Sequence, residues 1–206
     1  MSQSALQGTI RSRPVYGRLD VRAGTSHLMV ADGEGALSIL EMLARAGDGA
    51  GAVLAACHII YIPGANGTDM GDRLATLGAD QFWCAPDYAT AQPRIRRVLE
   101  GARMGTQIYL TGTEGLIGQV QRDAMDAGLP HTGVQTEHRG STARRVQCVH
   151  CKGITEHVVT DPFQCSHCGL HLFVRDHYSR RHAAFQGVNI DAEDQGRVPP
   201  AVERFT

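Results

Sequence analysis

His27-Leu-Met-Val-Ala-Asp-Gly-Glu-Gly-Ala-Leu-Ser-Ile-Leu-Glu-Met-Leu43 changes its grammar halfway along. It begins as a short apolar run of strand character and ends with helical spacing, in which Leu37, Leu40, Leu43 and Ala44 share one face while Glu41 and Arg45 take the other. Between the two halves, Asp32-Gly-Glu-Gly-Ala36 has the glycines of a tight strand-to-helix turn. This is half of a βαβ unit, and its leucines read as core.

The same rhythm continues as far as Glu137. Strands are expected at His27 to Ala31, Ala55 to Ile62, Asp80 to Cys84, Thr106 to Thr111 and Thr132 to Glu137. Helices fit at Ala36 to Arg45, Met70 to Leu77, Thr90 to Glu100 and Glu114 to Asp126, the last ended by Gly128 and Pro130. Five strands joined by four crossovers predict an α/β fold, a five-stranded doubly wound parallel sheet. In such sheets ligands bind beyond the carboxyl ends of the strands where the strand order reverses, here between the first and fourth strands. The loops at that place are Asp32, Gly33, Glu34, Gly35 and Ala36, and Thr111, Gly112, Thr113 and Glu114. Their glycines permit close backbone approach and the following helices offer amides to an anion, although a tight turn needs glycine with nothing bound.

After Glu137 the composition shifts. The run from His138 to Val146 is polar and without apolar period, which predicts a linker over 139–147. Beyond it, Cys148-x2-Cys151 and Cys165-x2-Cys168 stand thirteen residues apart. Each Cys-x2-Cys turn directs two thiolates at one centre, so the pair predicts a four-cysteine zinc ribbon over 148–174, with a closed ligand shell that serves folding and not catalysis. A single redox Cys-x2-Cys pair of thioredoxin type does not explain two such turns. His150, His157, His167 and His171 are expected outside the ligand shell, and Cys57 and Cys84 inside strands as small apolar residues. Residues 1–26 and 175–206 are expected as terminal arms; the second, basic from Arg175 to Phe185 and carrying Tyr178 and Phe185, reads either as a solvated tail or as an arm that docks on a partner subunit.

With 206 residues of which 42% are hydrophobic, the chain can bury one good core and a small appendage. Its 20 Lys and Arg against 21 Asp and Glu provide no basic field for nucleic acid, so a zinc-ribbon regulator using Arg144, Arg145, Arg180 and Arg181 is the weaker reading. The first residues lack a signal-peptide apolar core and no apolar run reaches membrane-spanning length, which predicts a cytoplasmic protein with reduced thiols.

The segment His27 to Leu43 resembles the first strand, glycine loop and helix of the nicotinamide-nucleotide domain of ferredoxin reductases. Gln107-Ile-Tyr-Leu-Thr-Gly-Thr-Glu-Gly-Leu-Ile-Gly118 is similar to its later strand and turn, and Val134-Gln-Thr-Glu137 to its terminal strand. Departures include Glu34 in the phosphate-facing loop, Leu37 where a threonine is usual, Thr111 where a cysteine is usual, and no arginine between Pro63-Gly-Ala-Asn-Gly67 and Arg73. From Thr160 through Cys165, Cys168 and Arg175 to Val188, then Asp191-Ala-Glu193, the chain resembles the small, DmmA-type zinc-ribbon subunit of bacterial dimethylamine monooxygenase. That resemblance implies a heteromeric NADPH-dependent (or NADH-dependent) N-demethylating oxygenase, with haem on an oxygenase subunit and FMN plus a [2Fe-2S] cluster on a reductase subunit. This chain would be the NAD(P)H-binding part of the split reductase, not catalytic alone. The alternative within the same complex is an assembly subunit that binds no nucleotide.

Overall fold

The computed structural model describes residues 12–64 and 69–206, which form two compact units. One comprises Tyr16–Ala143; the other comprises Arg144–Thr206 with the described residues ahead of Tyr16.

In the first unit the chain runs β1 Ser26–Asp32, α1 Gly35–Ala46, α2 Ala50–Leu54, β2 Cys57–Ile62, α3 Gly71–Ala75, β3 Gln81–Cys84, α4 Tyr88–Glu100, β4 Thr106–Gly112, α5 Glu114–Asp126 and β5 Val134–His138. The sheet has the order β3-β2-β1-β4-β5 with every pair parallel. The order reverses between β1 and β4, where Ala31 pairs with Thr111. On one face Leu28, Val30, Ile60, Ile108 and Leu110 pack under Ile95 and Leu99 of α4 and Ile117 and Val120 of α5. Met29, Ile59, Tyr61 and Tyr109 point the other way, toward α1, α2 and α3. A strand covered on both faces must be apolar at successive positions, which is why these strands read as continuous runs.

The buried face of α1 is rotated from the expected one. Ala36, Ile39, Met42 and Leu43 are buried, Leu37 and Leu40 are half-buried and Ala44 is exposed. The i, i+3, i+7 set starting at Ala36 meets the sheet because Gly35 already lies against β4 and fixes the helix's rotation. Cys84 is exposed, at the tip of edge strand β3, whereas Cys57 on β2 is buried as expected. The short helix α2 is additional to the expected elements, and its Val53 is the buried anchor. Residues 65–68, part of the glycine turn expected after the second strand, lie outside the described residues, as do residues 1–11 of the expected N-terminal arm. From Tyr16 onward that segment is no arm. Gly17 N donates to Thr136 O (2.9 Å), Leu19 N to Glu137 Oε2 (2.8 Å), and Leu19 is wholly buried under α1.

The second unit contains β6 Arg144–Cys148, β7 Ile154–Val158, β8 Thr160–Asp161, β9 Phe163–Gln164, β10 His171–Ser179, β11 Ala184–Asn189 and β12 Val202–Glu203. Five of these form a sheet in the order β7-β6-β11-β10-β9, and β12 pairs with β8. The basic stretch expected as an arm from residue 175 is therefore strand for much of its length. Tyr178 and Phe185 meet edge-on at 5.0 Å over a core of Val146, Leu172 and Val174. A register shift between Arg175 and Tyr178 breaks the alternation that would otherwise reveal the strand in the sequence. The expected linker likewise ends early, since Arg144 and Arg145 belong to β6 and are buried.

Candidate functional site

The second unit brings Cys148, Cys151, Cys165 and Cys168 together, their sulfurs all within 4.8 Å of one another. Cys148 Sγ lies 3.9 Å from Cys168 Sγ, and Cys151 Sγ lies 3.7 Å from Cys165 Sγ. A tetrahedron with metal–sulfur bonds of about 2.3 Å has edges of about 3.8 Å, so the four thiols fit one ion. The two turns are built alike. Lys152 N donates to Cys148 O and Gly169 N to Cys165 O, both at 3.0 Å. Each turn closes through a left-handed residue, Gly169 (φ 75°) in one and Lys152 (φ 64°) in the other. Burial raises the Cys165 thiol, but the amides of Cys168 and His167 and the neighbouring thiols more than offset this and bring it down to about 6. His150, His157, His167 and His171 are exposed and outside the thiol cluster, and His167 Nε2 instead contacts Ile154 O at 2.9 Å.

Two of the four arginines considered for nucleic acid are consumed by the fold. The Arg144 guanidinium is sandwiched between the Phe185 and Phe205 rings, at 3.9 and 4.2 Å, and donates to Asp176 Oδ1 at 2.9 Å. Arg145 grips Glu156 and donates to the carbonyls of His182 and Ala183. Neither is available to a phosphate.

In the first unit the switch point lies between the tips of β1 and β4, and the residues expected there are brought together largely by contacts with one another. Thr113 N donates to Asp32 Oδ1 at 2.7 Å and Thr113 Oγ1 to Asp32 Oδ2 at 2.6 Å. The carboxylate therefore pins the two strand ends to each other. Burial raises the Asp32 pKa above the ordinary carboxylate value, in opposition to its hydrogen bonds from Thr113. Gly112 has φ 120°, and a Cβ there would strike Asp32 Oδ1. A Cβ on Gly35 would stand 2.5 Å from Thr111 O, so the start of α1 presses directly on β4. Both glycines serve close approach within the protein.

The other expected residues follow suit. Gly33 donates to Ile62 O and its carbonyl accepts from the Tyr61 hydroxyl. Glu34 is exposed and Ala36 is buried. Glu114 accepts a 2.8 Å hydrogen bond from Tyr16. Thr111 is wholly buried, its hydroxyl oxygen without a hydrogen-bond partner among the described residues. Glu137 holds the Leu19 amide and Arg139. Three carboxylates, Asp32, Glu34 and Glu114, thus stand on the loops where a diphosphate would need positive potential, and the first and last already take donors from Thr113 and Tyr16.

Sequence reasoning gives no sign of Tyr16 as part of this region, nor of Thr113 as the specific partner of Asp32. Their separations, 98 residues to Glu114 and 81 residues to Asp32, leave no local signal.

Family models match the chain in two parts: residues 8–134 match the N-terminal domain of the dimethylamine monooxygenase subunit DmmA-like family, and residues 145–188 match its C-terminal domain. A curated relative, the haem-dependent oxidative N-demethylase delta subunit of Ectopseudomonas mendocina (strain ymp), is 30% identical over 149 residues, covering 69% of this chain and 85% of the relative. Among solved structures, full-length CYP116B46 from Tepidiphilus thermophilus aligns with 65% of this chain at 18% identity and TM-score 0.41, and the chain spans 18% of its length. The Amycolatopsis cytochrome P450 reductase GcoB aligns with 56% of this chain at 15% identity and TM-score 0.41, and the chain spans 38% of its length.

Proposed function

Because the chain belongs to the DmmA-like family of dimethylamine monooxygenase subunits, we propose that it is a subunit of a haem-dependent N-demethylating oxygenase whose work is assembly and not nucleotide binding. The observation that carries the second half of this reading is the Asp32 carboxylate, half-buried between β1 and β4 with both oxygens taken by Thr113. A dinucleotide diphosphate needs that crevice open and positive. An anion there repels it, and the close approach of Gly35 to Thr111 O leaves little space between the start of α1 and β4. Haem, FMN and an iron–sulfur cluster would belong to partner chains.

The four thiols would hold one structural Zn2+, which supplies a folded state to the second unit and leaves no open coordination position.

A second reading is favoured by the strand order. The reversal between β1 and β4 lies where nucleotide-binding sheets of this class place their ligand, with the first turns of α1 and α5 alongside. On that reading Gly33, Gly35 and the Thr111–Glu114 turn would line an NADPH or NADH site, and hydride would pass to a flavin on the reductase subunit. Calorimetric titration of NADPH and NADH into the full chain, alone and in its complex, separates the two. The assembly reading expects no saturable heat from the chain alone and unchanged nucleotide affinity of the complex when Asp32 is replaced by Asn. Micromolar binding to the isolated chain would overturn it.

A further inference from the structure

At the opposite edge of the same sheet, below the amino-terminal ends of β1, β2 and β3, lies an open groove of about 850 Å3. Leu28 and Trp83 are among its lining, and its wall is one side of α4 from Thr90 onward, including Arg94, Arg97 and Val98. Arg94 is fixed in place. Its Nε donates to His58 Nε2 at 3.0 Å, a terminal nitrogen donates to Gln81 Oε1 at 3.1 Å, and the guanidinium stacks 5.2 Å from the Trp83 ring centroid. A guanidinium can only donate, so His58 Nε2 must accept; the imidazole is then neutral with its proton on Nδ1.

Arg97, one turn further along α4, is exposed and has no side-chain partner among the described residues. The acidic side chain of the lining is Asp80, which belongs to the β2–β3 side and leaves the α4 side cationic. Met104, in the turn between the lining residues Ala102 and Thr106, is 98% exposed. It is presented by an ordered turn, because Thr106 N donates to Arg103 O (2.9 Å) and Arg103 N to Thr106 Oγ1 (3.0 Å).

A concave strip with a stacked arginine, an unpaired arginine and a projecting methionine at its rim has the composition of an interface centre, where Arg, Met and aromatic side chains are enriched. The groove's lining includes Thr90 in the first turn of α4, but its amide already donates to the capping Asp87 carboxylate at 2.7 Å, which disfavours the usual recognition of a nucleotide phosphate there. Its openness to solvent also fits an extended segment better than an enclosed small molecule. We propose that this edge of the sheet docks an acidic segment of a partner polypeptide in the complex, its carboxylates received by Arg97 and Arg94 and an apolar side chain packing on Met104. This rests on the subunit reading above and gives it a surface.

The test uses the full chain and the partner chains that copurify with it, identified by mass spectrometry and recombined. Association is measured by sedimentation at low and moderate salt for wild type, Arg97→Glu, Met104→Asp and, as a control on the second unit, Arg181→Glu. Both substituted groove residues are exposed, so the melting transition of the isolated chain should be unchanged. Arg97→Glu and Met104→Asp are each expected to weaken association by about tenfold or more, and added salt should weaken wild type more than Arg97→Glu. Arg181→Glu should behave as wild type. Equal association of all four proteins would overturn the proposal. So would unchanged association accompanied by loss of inorganic phosphate binding in Arg97→Glu, which would make the groove a small-anion site. If wild type itself fails to associate, the subunit reading falls and the groove with it. If the isolated chain binds NADPH while the groove variants still lose association, only the closed-crevice reading fails.

Discussion

Asp32 at the end of β1 and Thr113 at the start of α5 share two hydrogen bonds, 2.7 and 2.6 Å, across 81 residues of sequence. The contact joins the two central strands at the point where doubly wound sheets leave a gap for ligand.

Its titration has a definite sign. Burial raises the folded-state pKa of Asp32 above its ordinary value of 3.8, so between these two values the folded chain holds more protons than the unfolded one. Stability contributed by this group therefore falls as pH rises through that window. Asp32→Asn keeps an acceptor for Thr113 N and abolishes the titration. Its melting temperature should equal or exceed that of wild type at pH 7, and the difference should shrink as pH is lowered toward about 4 in a calorimetric series.

Thr111→Val tests the hydroxyl that finds no partner among the described residues. Replacing a buried, unpaired hydroxyl by an isosteric methyl removes a desolvation cost of about 1–3 kcal/mol. Urea unfolding should show a stabilised protein; a loss of stability would mean that the hydroxyl is bonded in solution.

Asp123 is fully buried and receives Arg96, Arg122, Gln92 and the Tyr88 hydroxyl, tying α4 to α5. Asp123→Ala orphans those donors, but the arginines can reach water, so a cost of about 2–3 kcal/mol is expected from urea unfolding, toward the lower end for a broken buried network.

His58 should titrate below 6.5, first because it is buried and second because Arg94 adjoins it. In Arg94→Gln an NMR titration should show its pKa rise yet remain below 6.5, since the larger cause is left intact. For wild type, the unfolded chain binds more protons between the two values, so stability falls as pH drops through that window.

Trp83 is the chain's single tryptophan and lies in the first unit. Cys165→Ser should reduce metal content from one ion per chain to background and abolish the second unit's cooperative melting, while Trp83 fluorescence reports an unchanged first unit. Full metal content in that variant would remove Cys165 from the ligand set.

The inner strands β1, β2 and β4 are legible in the sequence because burial on both faces forces apolar runs, and the cysteine cluster because its spacing is local. The buried face of α1 is not, since Leu37 and Leu40 outrank Ser38 and Ile39 in apparent hydrophobic pattern, whereas the close approach of Gly35 to Thr111 decides the rotation. Arg144 and Arg145 have the look of linker because nothing in the sequence places Phe185, Phe205 and Glu156 around them. The groove draws residues from Ser26 to Thr106 and so leaves no motif. At the crevice the residues themselves can be named from the sequence, but whether Asp32 faces a ligand or its own fold depends on side-chain direction, which no spacing rule supplies.

The parallel pairing of β6 with β11, in which Cys148 sits opposite Gly187, imposes a timetable. All four cysteines leave the ribosome before the strand that completes the sheet around them. At about 5–20 residues per second, the 19 residues from Cys168 to Gly187 take roughly 1–4 s to synthesise. During that interval the thiols wait on a half-built sheet, exposed to oxidants and to competing ions, so the nascent chain is the state in which metal supply matters most.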